Sequence, residues 1–308
     1  MTPGARAATI GVMDPELEPF TALFPPADLS DPPASRKILA ELTASIPVDT
    51  TGLDIEERMV PGEPEVPIRI YRPQDANGAI VWLHGGGFVM GDLDTEQPWA
   101  ATLARNSGAT VISVAYRLAP ENPFPAAHDD VYATVLWVAE HADELGLDPA
   151  RIAIGGHSSG AGIAAAVALR VRDEQSAPIR FQLLHQPGLD DRQISWSATN
   201  FTDTPFVTRG KVSQMWAHYL GDTPATPYAA VARATDLSGL PPAYIATAEF
   251  CPNRDEGIEY ALRLLRAGVP VEMHQWPGTF HGSHVILSAE ISQRQNAELG
   301  AVLRRALT

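Results

Sequence analysis

Gly156-His157-Ser158-Ser159-Gly160, read with the run Arg151-Ile-Ala-Ile154 before it and the helical stretch from Ala161 to Arg172 after it, decides the fold of this chain. A strand that passes through G-x-S-x-G into a helix places the serine on a sharp turn. The flanking glycines let neighbouring backbone pass where a side chain would collide. The serine hydroxyl is thereby lifted above the end of a sheet, which makes Ser158 a candidate nucleophile. Because the pentapeptide arises by chance in roughly one chain in ten of this length, its surroundings must carry the reading.

Upstream, His84-Gly85-Gly86-Gly87-Phe88 follows directly on the apolar run Ala79-Ile-Val-Trp-Leu83. A histidine and three glycines in succession arise by chance in only roughly one chain in two hundred. Three glycines after a core strand let backbone N–H groups point into one cavity, as a tetrahedral oxyanion requires. A phosphate cradle fits less well, since no Gly-Lys-Ser/Thr follows. His84 itself reads as structural. Downstream, Pro277-Gly-Thr-Phe-His281-Gly282 lies between the last predicted strand and the last predicted helix. The order serine then histidine makes His281 the expected base, taking the serine proton and returning it to the leaving group. His284 is the competing histidine, placed by the sequence pattern inside the closing helix.

Working outward, residues 66–71 alternate as a half-buried strand, and apolar runs recur at 110–115, 181–184, 243–247 and 271–276. Helical patterns separate them at 97–106, 126–145, 257–267 and about 285–307. Strand and helix in alternation imply a mostly parallel sheet covered on both faces. Residues 1–50, rich in Pro, Asp and Ala with one helical stretch near 35–44, read as an N-terminal cap segment, and 51–308 as the catalytic domain. Residues 190–221 break the rhythm and carry Trp196, Phe201, Phe206, Trp216 and Tyr219, so they are expected to join the cap as a lid insertion over the strand ends.

Composition narrows the function classes. A net charge of −15 argues against a nucleic-acid or anionic-membrane surface. No stretch approaches a membrane span and no signal-like run opens the chain, so a soluble, cytoplasmic protein is expected. The single cysteine, Cys251, excludes an internal disulfide and a multi-cysteine metal site. No metal or organic cofactor is called for.

Several strings together resemble the hormone-sensitive-lipase family of α/β-hydrolase esterases. They are His84 to Phe88, Tyr116-Arg-Leu-Ala-Pro-Glu121 with Phe124-Pro-Ala-Ala127 and Asp130, Gly156 to Gly160, Arg254-Asp-Glu-Gly257, Ala267-Gly-Val269 and Phe280-His-Gly282. The resemblance implies an α/β-hydrolase fold with an eight-stranded, mostly parallel sheet and a helical cap. It implies hydrolysis of small carboxylic esters with short acyl chains through an acyl-serine intermediate, and it allows for a homodimer. By matching position it places oxyanion donors at the N–H groups of Gly86, Gly87 and Ser159. The same machinery would serve lactones, carbamates or amides.

Three departures stand out. His157 and Ser159 replace the Asp and Ala that usually flank the serine, and His185-Gln186-Pro187 lacks the usual aromatic before the proline. At the family's acid position, thirty residues before His281, stands Cys251. A thiol near its reference pKa is mostly neutral at pH 7 and a poor partner for an imidazolium. Either another carboxylate substitutes, from Asp255, Glu249 and Glu256, or the enzyme is slow. Asp255 is the first choice, with helix N-capping as its competing role, and Glu249 the second, since it would share the side of Cys251 if the strand continued. The missing acid also raises a reading from another class: a catalytically impaired small-ligand receptor like the plant gibberellin receptors, which resemble this family.

Overall fold

Ala79–Leu83 (β3) shows how the core is built: successive side chains point to opposite faces, and every one is buried. Val81 and Leu83 enter one apolar cluster, and Ile80 and Trp82 enter another on the opposite face. A strand buried on both faces belongs inside a parallel sheet with helices on each side. The computed structural model, which describes residues 11–22, 29–76 and 78–308, has that architecture.

The remaining strands are Leu53–Val60 (β1), Val66–Pro73 (β2), Thr110–Val114 (β4), Ile152–His157 (β5), Phe181–His185 (β6), Ala243–Phe250 (β7) and Val271–Phe280 (β8). They form one eight-stranded sheet in the order β1-β2-β4-β3-β5-β6-β7-β8. Only β2 runs antiparallel to its neighbours, and β3 to β8 are mutually parallel. Helices Leu93–Ser107 (α2) and Glu290–Leu307 (α8) cover the face of Ile80 and Trp82, while Ala126–Glu140 (α3), Ser159–Glu174 (α4) and Arg254–Arg266 (α7) cover the other. The expected eight-stranded, mostly parallel sheet is thus present.

The sheet order reverses between β3 and β5, because β4 lies on one side of β3 and β5 on the other. Ligands in open α/β sheets bind at such a switch point, beyond the carboxyl ends of the strands. The glycine loop leaves β3 and Ser158 leaves β5, so the topology alone brings both motifs to one crevice.

Three segments differ from the sequence pattern. β1 was not foreseen as a strand; its Asp54, Glu56, Glu57 and Arg58 belong to a charged, half-exposed sheet edge, which discourages pairing with other chains. β8 continues through Pro277 and Gly278 to Phe280 instead of ending near Trp276. α8 starts only at Glu290, so His284 lies in a separate short turn, Ser283–Val285, and not inside the closing helix.

The described part of the N-terminal segment docks over the strand ends. Its helix Pro32–Thr43 (α1) presents Arg36, whose guanidinium donates to Val89 O at 2.7 Å and to Ala119 O at 3.0 Å and pairs with Glu121 at 2.6 Å. The insertion forms Trp196–Asn200 (α5) and Arg209–Leu220 (α6).

Candidate active site

One residue makes the turn between β5 and α4, and that residue is Ser158. Its backbone lies at φ 56° and ψ −122°, a region non-glycine residues rarely adopt. The flanking glycines are needed for close approach. A Cβ on Gly156 would sit 2.5 Å from Leu83 O, and one on Gly160 2.3 Å from the carbonyl oxygens of Leu83 and His84. The Ser158 N–H donates to His185 O at 2.9 Å, and its carbonyl accepts from Gly162 and Gly188, which pins the turn above the sheet.

His281 is the first residue beyond β8, buried, with Nε2 2.8 Å from Ser158 Oγ. The side-chain oxygen of Gln186 accepts from the Gly282 N–H at 2.7 Å and holds the loop in place. On the other side of the ring, Cys251 Sγ lies 3.1 Å from His281 Nδ1. The sheet explains this meeting: Phe250 and Phe280, the last residues of β7 and β8, are paired in register, so Cys251 and His281 leave the sheet side by side. Sγ also accepts from the Asn253 N–H at 3.3 Å.

The electrostatics of this trio are those of neutral groups. Burial pushes the Cys251 thiol up to about 12, with the nearby Glu256 acting in the same direction. Burial, with the neighbouring His157 and Lys211 acting in the same direction, pushes the His281 imidazole down to about 3. His281 is therefore a neutral base at ordinary pH, with a neutral thiol behind it.

None of the expected substitute carboxylates reaches His281. Asp255 is the second residue of α7 and not its N-cap; it pairs with Arg254 Nε at 2.7 Å and accepts from the Ser197 N–H at 2.8 Å, tying α7 to α5. The alternation that would have aimed Glu249 with Cys251 fails because β7 ends at Phe250, with a register shift between Ala248 and Phe250. Glu249 instead accepts from the Gly278 N–H at 2.7 Å. Glu256 accepts from the Leu189 N–H at 2.8 Å, and burial raises its pKa well above the ordinary value.

The glycine loop is shaped by its neighbours. Gly86 has φ +116° and a Cβ there would lie 2.1 Å from Met90 O, so only glycine fits. The backbone N–H groups of Gly86, Gly87 and Ser159 have no protein acceptor among the described residues. His84 is buried, stacked on Tyr116 at 4.2 Å, and its carbonyl accepts from the Tyr116 hydroxyl at 2.7 Å, a bracing arrangement.

The two unusual histidines meet a third. His157 and His185 each contact His284 edge to face, with ring centroids 5.0 and 4.4 Å apart. Burial lowers their pKa, to about 3 for His157 and about 4 for His185, and well below the ordinary value for His284. Sequence reading had no means of joining three histidines from separate strand ends. Among the described residues no group of three or more His, Cys, Asp or Glu is placed to hold a metal ion, and no helix is long and apolar enough to cross a membrane.

A cavity of about 560 Å³ opens onto Ser158 and His281. Leu29, Leu39 and Leu42 of the N-terminal segment line it, as do Phe206, Lys211 and Met215 of the insertion, so both segments expected to cover the strand ends contribute to its wall.

A model of the α/β-hydrolase fold family matches residues 80–285. Carboxylesterase NlhH of Mycobacterium tuberculosis is 42% identical over 240 residues, covering 75% of each chain. The arylesterase of Saccharolobus solfataricus is 31% identical over 303 residues, 95% of this chain and 98% of that one. Among solved structures, a bacterial heroin esterase superposes with a TM-score of 0.94 at 44% identity, over 98% of this chain and 100% of its own. With the switch-point crevice and these relatives together, the chain belongs to the hormone-sensitive-lipase-like family of α/β-hydrolases and is an enzyme that hydrolyses carboxylic esters.

Proposed function

We propose that Ser158 is the nucleophile, His281 its base and then its acid, and Cys251 the group that takes the place of the usual carboxylate. The observation that carries this reading is the 2.8 Å contact between Ser158 Oγ and His281 Nε2 on a positive-φ elbow. Nε2 must be unprotonated to receive the serine proton, so the ring proton sits on Nδ1 and donates to Cys251 Sγ.

The reaction then runs in two halves. Ser158 Oγ bonds to the ester carbonyl carbon as its proton passes to Nε2, and the N–H groups of Gly86, Gly87 and Ser159 stabilise the oxyanion. Collapse breaks the bond to the alcohol oxygen, which leaves with the proton from Nε2. Water attacks the acyl-serine with His281 again as base, and release of the acid restores the serine.

The imidazolium formed in each half faces a thiol and not a carboxylate, so the barrier is higher than with an acid in that place. Short acyl chains belong to this proposal through the family resemblance. A homodimer belongs to the same proposal through the family resemblance, and a cytoplasmic setting through the composition of the chain. Ser158→Ala tests the assignment: hydrolysis of 4-nitrophenyl butyrate should fall by roughly 10⁴-fold or more, with labelling by a serine-directed phosphonate abolished. Retained turnover or retained labelling would remove Ser158 from the mechanism.

A further inference from the structure

Lys211 is a buried cation in the wall of the substrate cavity, 5% exposed. It is the one lysine or arginine among the described residues that line the cavity. Its Nζ donates to Phe206 O, and the ammonium also lies 5.5 Å from the centroid of the Phe206 ring. An ammonium has three donors, and a single carbonyl is the one protein acceptor found for it among the described residues. Among the described residues no carboxylate lies within ion-pair distance of it.

The Phe206 carbonyl and ring offset the cost of this placement only in part. Removing an ammonium from water without a counter-charge is expensive. Lys211 is also in the first turn of α6, where the positive end of the helix dipole disfavours a cation. The described lining of the cavity offers no counter-ion either. Its one carboxyl, Glu96, accepts from Trp82 Nε1 at 2.7 Å, and burial raises it to about 8, so it is largely protonated at neutral pH. His84, His157 and His281, which share the wall, are neutral for the same reason. The rest of the lining is mostly apolar, from Phe20, Leu29 and Leu39 to Met215 and Phe280. The result is a mostly apolar chamber whose one ammonium, pushed down to about 8 by burial, stays mostly charged at pH 7 and lowers the basicity of His281.

We propose that Lys211 selects the charge of the substrate, so that the enzyme prefers esters bearing a carboxylate over equally sized neutral esters. This rests on the serine-esterase reading and adds a substrate class to it. An anion at Nζ supplies the missing counter-charge, satisfies the free donors, and relieves the unfavourable field at His281 as the imidazolium forms.

Two substrate pairs cover the two sides of the scissile bond. On the acyl side, the mono-4-nitrophenyl ester of adipic acid is compared with its primary-amide-capped analogue; on the alcohol side, 4-acetoxybenzoate is compared with 4-acetoxybenzamide. Spontaneous hydrolysis is subtracted throughout. In the wild-type protein, kcat/KM for the carboxylate member of at least one pair should exceed that of the amide by about ten- to a hundred-fold. In Lys211→Met that ratio should fall to near one.

A lysine serving only to brace the Phe206 carbonyl would change both members of a pair alike and leave the ratio unmoved. Wild-type ratios at or below one for both pairs overturn the proposal without any variant, as does a preference that survives Lys211→Met. Failure of the wild-type protein to hydrolyse even the neutral members would instead strike the esterase reading. Turnover of the neutral members without charge preference would sink the role of Lys211 alone.

Discussion

On its Nε2 side the His281 ring meets Ser158 Oγ at 2.8 Å, on a glycine-flanked elbow; on its Nδ1 side it meets Cys251 Sγ at 3.1 Å, where the family resemblance implies a carboxylate. The Nε2 side is held by a backbone that only glycines permit, at Gly156 and Gly160. The Nδ1 side is held by strand register, which delivers Cys251 and His281 together whatever the chemistry of residue 251. Geometry and electrostatics are therefore separable in this enzyme. The frame that positions a third group is present, and the charge that such a group normally brings is not.

The largest effect should come from the Nε2 side. His281→Gln removes the base and should lower kcat/KM by roughly 10⁴-fold or more, measured on 4-nitrophenyl butyrate; a loss under ten-fold would mean that another group accepts the serine proton.

A second prediction concerns the shared burial of both sides. Five histidines at the site, His84, His157, His185, His281 and His284, have folded-state pKa values below their ordinary 6.5, chiefly through burial. The unfolded chain takes up their protons as pH falls below 6.5, while the folded chain does not until far lower, so stability is lost on acidification. Glu96 and Glu256 act oppositely, because their raised pKa values keep them protonated in the fold above pH 4.5. Five against two leaves up to three net protons, each about 1.4 kcal/mol per pH unit. Urea unfolding should show stability falling steeply from pH 6.5 towards 5 and declining more gently from pH 6.5 towards 8. A stability curve flat between pH 5 and 6.5 would contradict the neutral histidine cluster.

The smallest effects should be at the carboxylates that do not reach His281. Asp255→Asn weakens a partly exposed pair with Arg254 and should cost about 1 kcal/mol of stability at most, with kcat within two-fold of wild type; Glu249→Gln should behave likewise. A hundred-fold loss in kcat in either variant, with the fold intact, would restore that residue as the acid.

The divided character of His281 also explains what could be read from the chain. The glycines of residues 85–87 and the elbow were legible because each meets local backbone demands that few residue types satisfy, and His281 because of its loop after the last strand and its order after Ser158. So was the sheet, since β3, β4 and β5 are continuous apolar runs. β1 was not, because a charged edge strand lacks that signature. The continuation of β8 was hidden by Pro277 and Gly278, which ordinarily mark a turn. The substitution at residue 251 was visible, but its consequence was not: whether a carboxylate elsewhere turns in depends on where β7 ends and on Arg254 and Ser197, which engage Asp255. Lys211 gave no signal at all, since one lysine on a helix such as α6 reads as solvated until the helix is docked.

The most direct test of a neutral thiol behind the proposed base, His281, is Cys251→Asp, assayed as kcat/KM against pH beside the wild type. In the wild-type protein the neutral His281 should hold the rate constant down to about pH 5, and the new carboxylate should move the acidic limb upward and raise the plateau by roughly ten-fold or more. An unchanged plateau and limb in a correctly folded Cys251→Asp protein would contradict the assignment of residue 251 as the electrostatically incomplete member of the site.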